Sequence, residues 1–146
     1  MNSKVILLVE DNQSDIELTM RAFKRGRITN DVVVAENGRE ALDYLFGTGK
    51  YAVRDTAQMP TLILLDIKMP VMDGLETLKH IRANQQTRRI PVVILTSSQE
   101  EQDIAASYDL GVNSYIRKPV DFNQFVNAVK NLELYWLVLN EPPPMK

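Results

Sequence analysis

Five short apolar runs, alternating with longer amphipathic stretches, constrain this chain more than any other feature of its sequence. The runs are VILLV (5–9), VVVA (32–35), LILL (62–65), VVILT (92–96) and SYIR (114–117). Near-continuous apolar character without in-out alternation is what strands covered on both faces require. Between the runs the spacing predicts helices over residues 14–24, 38–46, 74–83, 100–110 and 121–139. Ser14 and Asp121 read as N-caps, and Gly26 and Gly111 stand where helices commonly stop. Strand and helix in strict alternation imply an α/β, doubly wound, five-stranded parallel sheet with five helices on its two sides. At 146 residues, 45% of them hydrophobic, the chain fits one domain with a sizeable core. Its core spans about residues 4–132, with an extended last helix and short tail over 133–146.

The remaining composition excludes several classes. A net charge of −2 with no Lys/Arg-rich block argues against nucleic acid as the main partner. The absence of cysteine rules out disulfides and thiolate metal sites and fits a reducing compartment. No apolar segment approaches the length of a membrane span or a signal peptide, so the expected location is the cytoplasm. The loop over 47–60 is long, and the sequence leaves open whether it is a recognition element or a tolerated insertion.

In TLILLDIKMP (61–70) four apolar residues run directly into Asp66, an expensive place for a carboxylate. In open α/β sheets ligands bind beyond the carboxyl ends of the strands. There the first run ends in Glu10 and Asp11, the third in Asp66, the fourth in Thr96 and the fifth in Lys118. Three clustered carboxylates repel one another unless neutralised, and their hard oxygens suit Mg²⁺. Thr96 and Lys118 add the hydrogen-bond donor and positive charge that a transferring phosphoryl group needs. The adjacent Glu10 and Asp11 form a metal platform, whereas Asp66 stands alone at a central strand end and is the expected nucleophile and phosphoacceptor. Each residue also has a plainer use. Glu10 and Asp11 could open a solvated loop, Asp66 could form a turn before Pro70, Thr96 could be an ordinary strand residue and Lys118 a surface lysine. It is their coincidence at one sheet edge that favours the site. His80, the single histidine, has no acid arranged to activate it and reads as surface.

LLVEDN (7–12), LILLDIKMPVMDG (62–74), VVILTSS (92–98) and NSYIRKP (113–119) resemble, in order and spacing, the receiver domain of two-component response regulators. The resemblance covers about residues 4–132 and implies the flavodoxin-like receiver fold. It implies phosphoryl transfer to Asp66 from the histidine of a sensor kinase or a histidine phosphotransfer protein, with Mg²⁺ bound. Asp11 and Asp66 would ligate the metal directly, Glu10 through water, and the backbone carbonyl of Lys68 would complete the protein ligands. Thr96 and Lys118 would contact phosphoryl oxygens, Tyr115 would turn inward as Thr96 moves, and the Lys118–Pro119 bond would be cis. Lys68 and Ser98, two residues after Asp66 and Thr96, would flank the path of an attacking water and tune the phosphoryl lifetime. Val120 stands where many relatives have phenylalanine, which bears on how the loop before the last helix packs.

Phe122, Phe125, Val126, Val129, Leu132 and Trp136 form a core-facing stripe at helical spacing. In LELYWLVL (132–139), Leu134, Tyr135, Leu137 and Val138 lie off that stripe, which implies a homodimer or partner interface at the end of the last helix, unless the tail folds back over its own domain. SYDLGVNSYIRKPVDF (107–122) with LYWL (134–137) is similar to the single-domain response regulators of bacterial phytochromes, which makes a phytochrome-type kinase the implied partner. NEPPPMK (140–146) is too short for a DNA-binding unit, so output is expected through protein contact. Two other readings stay open: a receiver-like scaffold that takes no phosphate, and a Mg²⁺-dependent aspartyl-phosphate phosphatase. The latter typically carries D-x-D after its first strand, where this chain has Glu10-Asp11-Asn12-Gln13.

Overall fold

Strands apolar on both faces need helices above and below the sheet, and the chain supplies them. The computed structural model describes residues 5–107, 111–130 and 132. Its elements run β1 (Val5–Val9), α1 (Gln13–Arg25), β2 (Asp31–Ala35), α2 (Gly38–Phe46), a single 3₁₀ turn (Gly49–Tyr51), β3 (Leu62–Asp66), α3 (Gly74–Ala83), β4 (Val92–Thr96), α4 (Gln99–Ser107), β5 (Ser114–Arg117) and α5 (Phe122–Lys130). All strand pairs are parallel, in the order β2-β1-β3-β4-β5.

Successive residues of each strand point to opposite faces, which builds two cores. Leu7, Val9, Ile63, Leu65, Val92 and Ile94 pack with α2, α3 and Ala105 of α4. Ile6, Leu8, Leu62, Leu64, Val93 and Leu95 pack with Ile16 and Phe23 of α1 and Phe125, Ala128 and Val129 of α5. Each fully buried leucine of β3 contributes roughly 1.5–3 kcal/mol, which is why the central strands tolerate no polar residue until their ends.

The chain reverses direction in the sheet order between β1 and β3, whose paired register Val9↔Leu65 brings their carboxyl ends level. That switch point is where such sheets bind ligands. The helix starts differ slightly from the sequence expectation. Asn12, not Ser14, caps α1, its side chain accepting from the Asp15 N–H at 2.9 Å, so the helix begins at Gln13. Asp121 caps α5 as expected, its Oδ1 accepting from the Gln124 N–H at 2.8 Å. Gly26 closes α1, donating to the Ala22 carbonyl. Residues 108–110, at the end of the fourth expected helix, lie outside the described residues. So do residues 133–146, which hold Trp136 and the proposed interface residues Leu134, Tyr135, Leu137 and Val138.

Candidate functional site

Asp66 is not a turn residue: it is the last residue of β3, paired with Leu95 of β4, and is 1% exposed. Gly74 makes this possible. A side chain at Gly74 would collide with the Asp66 carbonyl, and the Gly74 N–H donates to the Ile67 carbonyl at 2.8 Å, drawing α3 tight against the end of β3. Glu10 follows β1, is also 1% exposed, and is fixed by its N–H to the Ala35 carbonyl at 2.9 Å and by the Asn12 N–H, which donates to Oε2 at 3.2 Å. Asp11 beside it is exposed. Glu10, Asp11 and Asp66 each offer an oxygen, and these lie within 4.8 Å of one another.

Lys118 enters from β5. Its N–H donates to the Thr96 carbonyl at 2.8 Å, and the Lys118–Pro119 bond is cis, as the resemblance implies. The ammonium is shared among three carboxylates, at 3.1 Å from Asp66 Oδ1, 3.2 Å from Asp15 Oδ2 and 3.3 Å from Glu10 Oε1. Burial opposes its charge, but Asp66, Glu10 and the hydrogen bond to Asp15 outweigh that and hold its pKa above the ordinary lysine value. Burial also pushes up both buried acids. Glu10 rises to about 7, first through burial and then through the neighbouring Asp66 charge, with Lys118 pulling the other way. Asp66 is raised by burial, which outweighs the lowering by Lys118.

Two buried oxygens make no hydrogen bond among the described residues: Thr96 Oγ1 and Asp66 Oδ1, the latter 3.1 Å from the Lys118 ammonium. Orphaned buried oxygens are costly and mark a place where something else completes the bonding. An unpartnered hydroxyl, an oxygen-rich cluster short of positive charge and one shared ammonium together fit a divalent cation and a phosphoryl group.

The structure thus brings together Glu10, Asp11, Asp66, Thr96 and Lys118. Tyr115 lies two residues before the end of β5, opposite Ile94, and is half-buried. The Lys68 side chain is exposed and reaches Glu101 Oε2 at 3.6 Å, while Ser98 accepts the Glu101 N–H at 3.2 Å at the start of α4. Val120 is buried among the residues of α1 and α5, so the loop before α5 packs without a phenylalanine there. His80 is exposed in the last turn of α3. Sequence reasoning missed Asp15. Its partner Lys118 is brought to it only by the tertiary fold.

Residues 6–130 match the response regulator receiver domain model. The chain belongs to the response regulator receiver domain family. Response regulator Rcp1 of Synechocystis sp. is 39% identical over 134 residues, 92% of this chain and 89% of Rcp1. The Mn²⁺-bound structure of Rcp1 matches with a TM-score of 0.73 at 37% identity, over 97% of this chain and 99% of that one. The bacteriophytochrome response regulator AtBRR superposes at a TM-score of 0.87 with 50% identity, over 93% of this chain and 96% of its own. The phosphorylated cyanobacterial phytochrome response regulator RcpA does so at 0.73 and 43%, over 92% and 94%. This receiver therefore resembles phytochrome response regulators along nearly their whole length. No helix among its described residues is long and apolar enough to cross a membrane.

Proposed function

We propose that this receiver accepts a phosphoryl group on Asp66 from the phosphohistidine of a sensor kinase, or of a histidine phosphotransfer protein, and signals through a protein interface that the modification biases. The observation that carries this reading is the buried Asp66 carboxylate, with Lys118 Nζ 3.1 Å from Oδ1 and the Thr96 hydroxyl left without a partner. An Asp66 oxygen attacks phosphorus as the histidine N–P bond breaks; the imidazole keeps the bonding pair and takes up a proton.

Glu10, Asp11, Asp66 and the Lys68 carbonyl would hold Mg²⁺, which when bound supplies positive charge to the phosphoryl oxygens. The acids fit that duty, since their oxygens cluster within 4.8 Å and two of them are buried. Lys118 pairs with a phosphoryl oxygen, and the Thr96 hydroxyl donates to another. Because the Lys118 N–H is bonded to the Thr96 carbonyl, movement of Thr96 is felt along β5, where Tyr115 turns inward. The likeness to AtBRR and RcpA supports a phytochrome-type kinase as the donor. For output, the apolar segment 132–139 supports self-association through Leu134, Tyr135, Leu137 and Val138.

Intact-protein mass after incubation with acetyl phosphate and Mg²⁺ tests the reading. The native chain gains one phosphoryl group, and Asp66→Asn gains none. A native chain that gains no mass, and that binds no beryllofluoride, makes the site a metal-linked scaffold instead.

A further inference from the structure

Two loops leave the sheet edge beside Asp66, one after β3 carrying Lys68 and one after β4 carrying Ser97 and Ser98. A single carboxylate joins them. Glu101, in the first turn of α4, turns back under the helix so that its side chain is only 8% exposed. A carboxylate buried to that degree needs partners, and it takes one from each loop. Oε1 accepts the Ser97 N–H at 3.0 Å, and Oε2 lies 3.6 Å from the Lys68 ammonium. Ser97 is the residue after Thr96, and Lys68 stands two residues after Asp66.

The two bonds differ in kind. The Ser97 N–H and the Ser98 hydroxyl, which accepts the Glu101 N–H, fix Glu101 at the start of the helix. The Lys68 side chain is 78% exposed, so its ion pair is weak and its flexible stem can exchange partners. We propose that Glu101 is a positioning residue that holds the Lys68 ammonium away from Asp66 and thereby shortens the life of a phosphoryl group there. The proposal rests on the phosphoacceptor reading of Asp66. A phosphorylated Asp66 competes with Glu101 for Lys68. Each time the ammonium lies over the phosphoryl oxygens, it covers the approach of water. Hydrolysis needs that approach: water oxygen attacks phosphorus, the Asp66 O–P bond breaks with its electron pair returning to the carboxylate, and inorganic phosphate leaves with the water's oxygen and both its protons, one of which it exchanges with solvent.

The test compares decay of the phosphorylated form in four full-length chains: native, Glu101→Gln, Lys68→Ala and the double variant. Each is loaded with acetyl phosphate and Mg²⁺ and followed by intact mass. Glutamine keeps an oxygen for the Ser97 N–H and removes only the charge, and Lys68→Ala keeps the backbone carbonyl. The expected result is decay slowed about threefold in Glu101→Gln, the size of one exposed ion pair, with Lys68→Ala and the double variant decaying alike. Equal decay in native and Glu101→Gln overturns the proposal. So does faster decay in Glu101→Gln, or the same slowing when Lys68 is absent, which would assign Glu101 a purely structural part. A native chain that takes up no phosphoryl group and binds no beryllofluoride overturns the Asp66 reading itself, and is distinguished by appearing before any variant is compared.

Discussion

At the scale of single residues, the site is defined by charge held where solvent cannot dilute it. Glu10 has its pKa raised to about 7, so near neutral pH a proton and a cation compete for the same carboxylate. The sign follows directly: as pH falls below about 7 the proton wins, and apparent Mg²⁺ affinity drops. Calorimetric titration from pH 8 to pH 6 should show that decline, and Glu10→Gln should flatten it while weakening binding at pH 8. For the metal-free fold the same shift acts in the opposite sense. A carboxyl raised above its ordinary 4.5 favours the folded state at acid pH, a contribution lost as pH climbs through about 7. Gly74 is the steric counterpart. A methyl group there meets the Asp66 carbonyl and the Ile67 backbone, neither of which can rotate away. Gly74→Ala should cost about 1–3 kcal/mol in urea unfolding and should depress phosphoryl uptake as well, because the atom displaced belongs to the acceptor's own backbone.

At the scale of elements, what was legible in the sequence is what local pattern dictates. The runs 5–9, 92–96 and 114–117 are strands as read, and 38–46 and 74–83 are helices as read, because each bears its full apolar signal within itself. β3 extends one residue beyond its apolar run to take in Asp66, which a rule against burying acids hides until a function is assigned to it. The cap of α1 was misplaced because Asn12, Ser14 and Asp15 can all serve, and only the observed Asn12 to Asp15 hydrogen bond decides. Asp15 and Glu101 were illegible for a different reason. Their partners, Lys118 and Lys68, are brought to them by the tertiary fold and not by neighbouring sequence. The loop over 47–60 likewise proves to be built around one side chain. Arg54 donates to the Tyr44 carbonyl at 2.6 Å and the Gln58 carbonyl at 2.8 Å, and lies 4.1 Å over the Tyr44 ring, which meets Tyr51 edge-on. Arg54→Ala removes the post that holds this loop to α2. Limited proteolysis should then cut within 47–60 at least several-fold faster, with Asp66 phosphorylation unchanged, since no part of the loop enters the site.

At the scale of the whole molecule, the site works against the stability of the sheet that carries it. Glu10, Asp15 and Asp66 stand around one ammonium with Asp11 beside them, and two of the four are buried. Such strain is common where a fold is shaped for a ligand, and it is relieved either by the ligand or by removing a charge. Asp66→Asn does the latter while preserving volume, and Lys118 keeps Glu10 and Asp15 as partners. In the absence of metal and near pH 8, above the value of about 7 at which Glu10 titrates, Asp66→Asn should therefore melt above the native chain. Mg²⁺ with beryllofluoride should reverse the order. A ligand at a hundred times its dissociation constant adds about 2.7 kcal/mol to the folded state, which for a domain of this size is roughly 5–10 °C. Only the native chain has the carboxylate to hold it. Thermal melts of both proteins, with and without the two ions, decide the matter: crossing curves show that the acids trade stability for binding. An Asp66→Asn chain that melts below native in metal-free buffer would instead show that the Lys118 ion pair to Asp66 outweighs the repulsion among the acids.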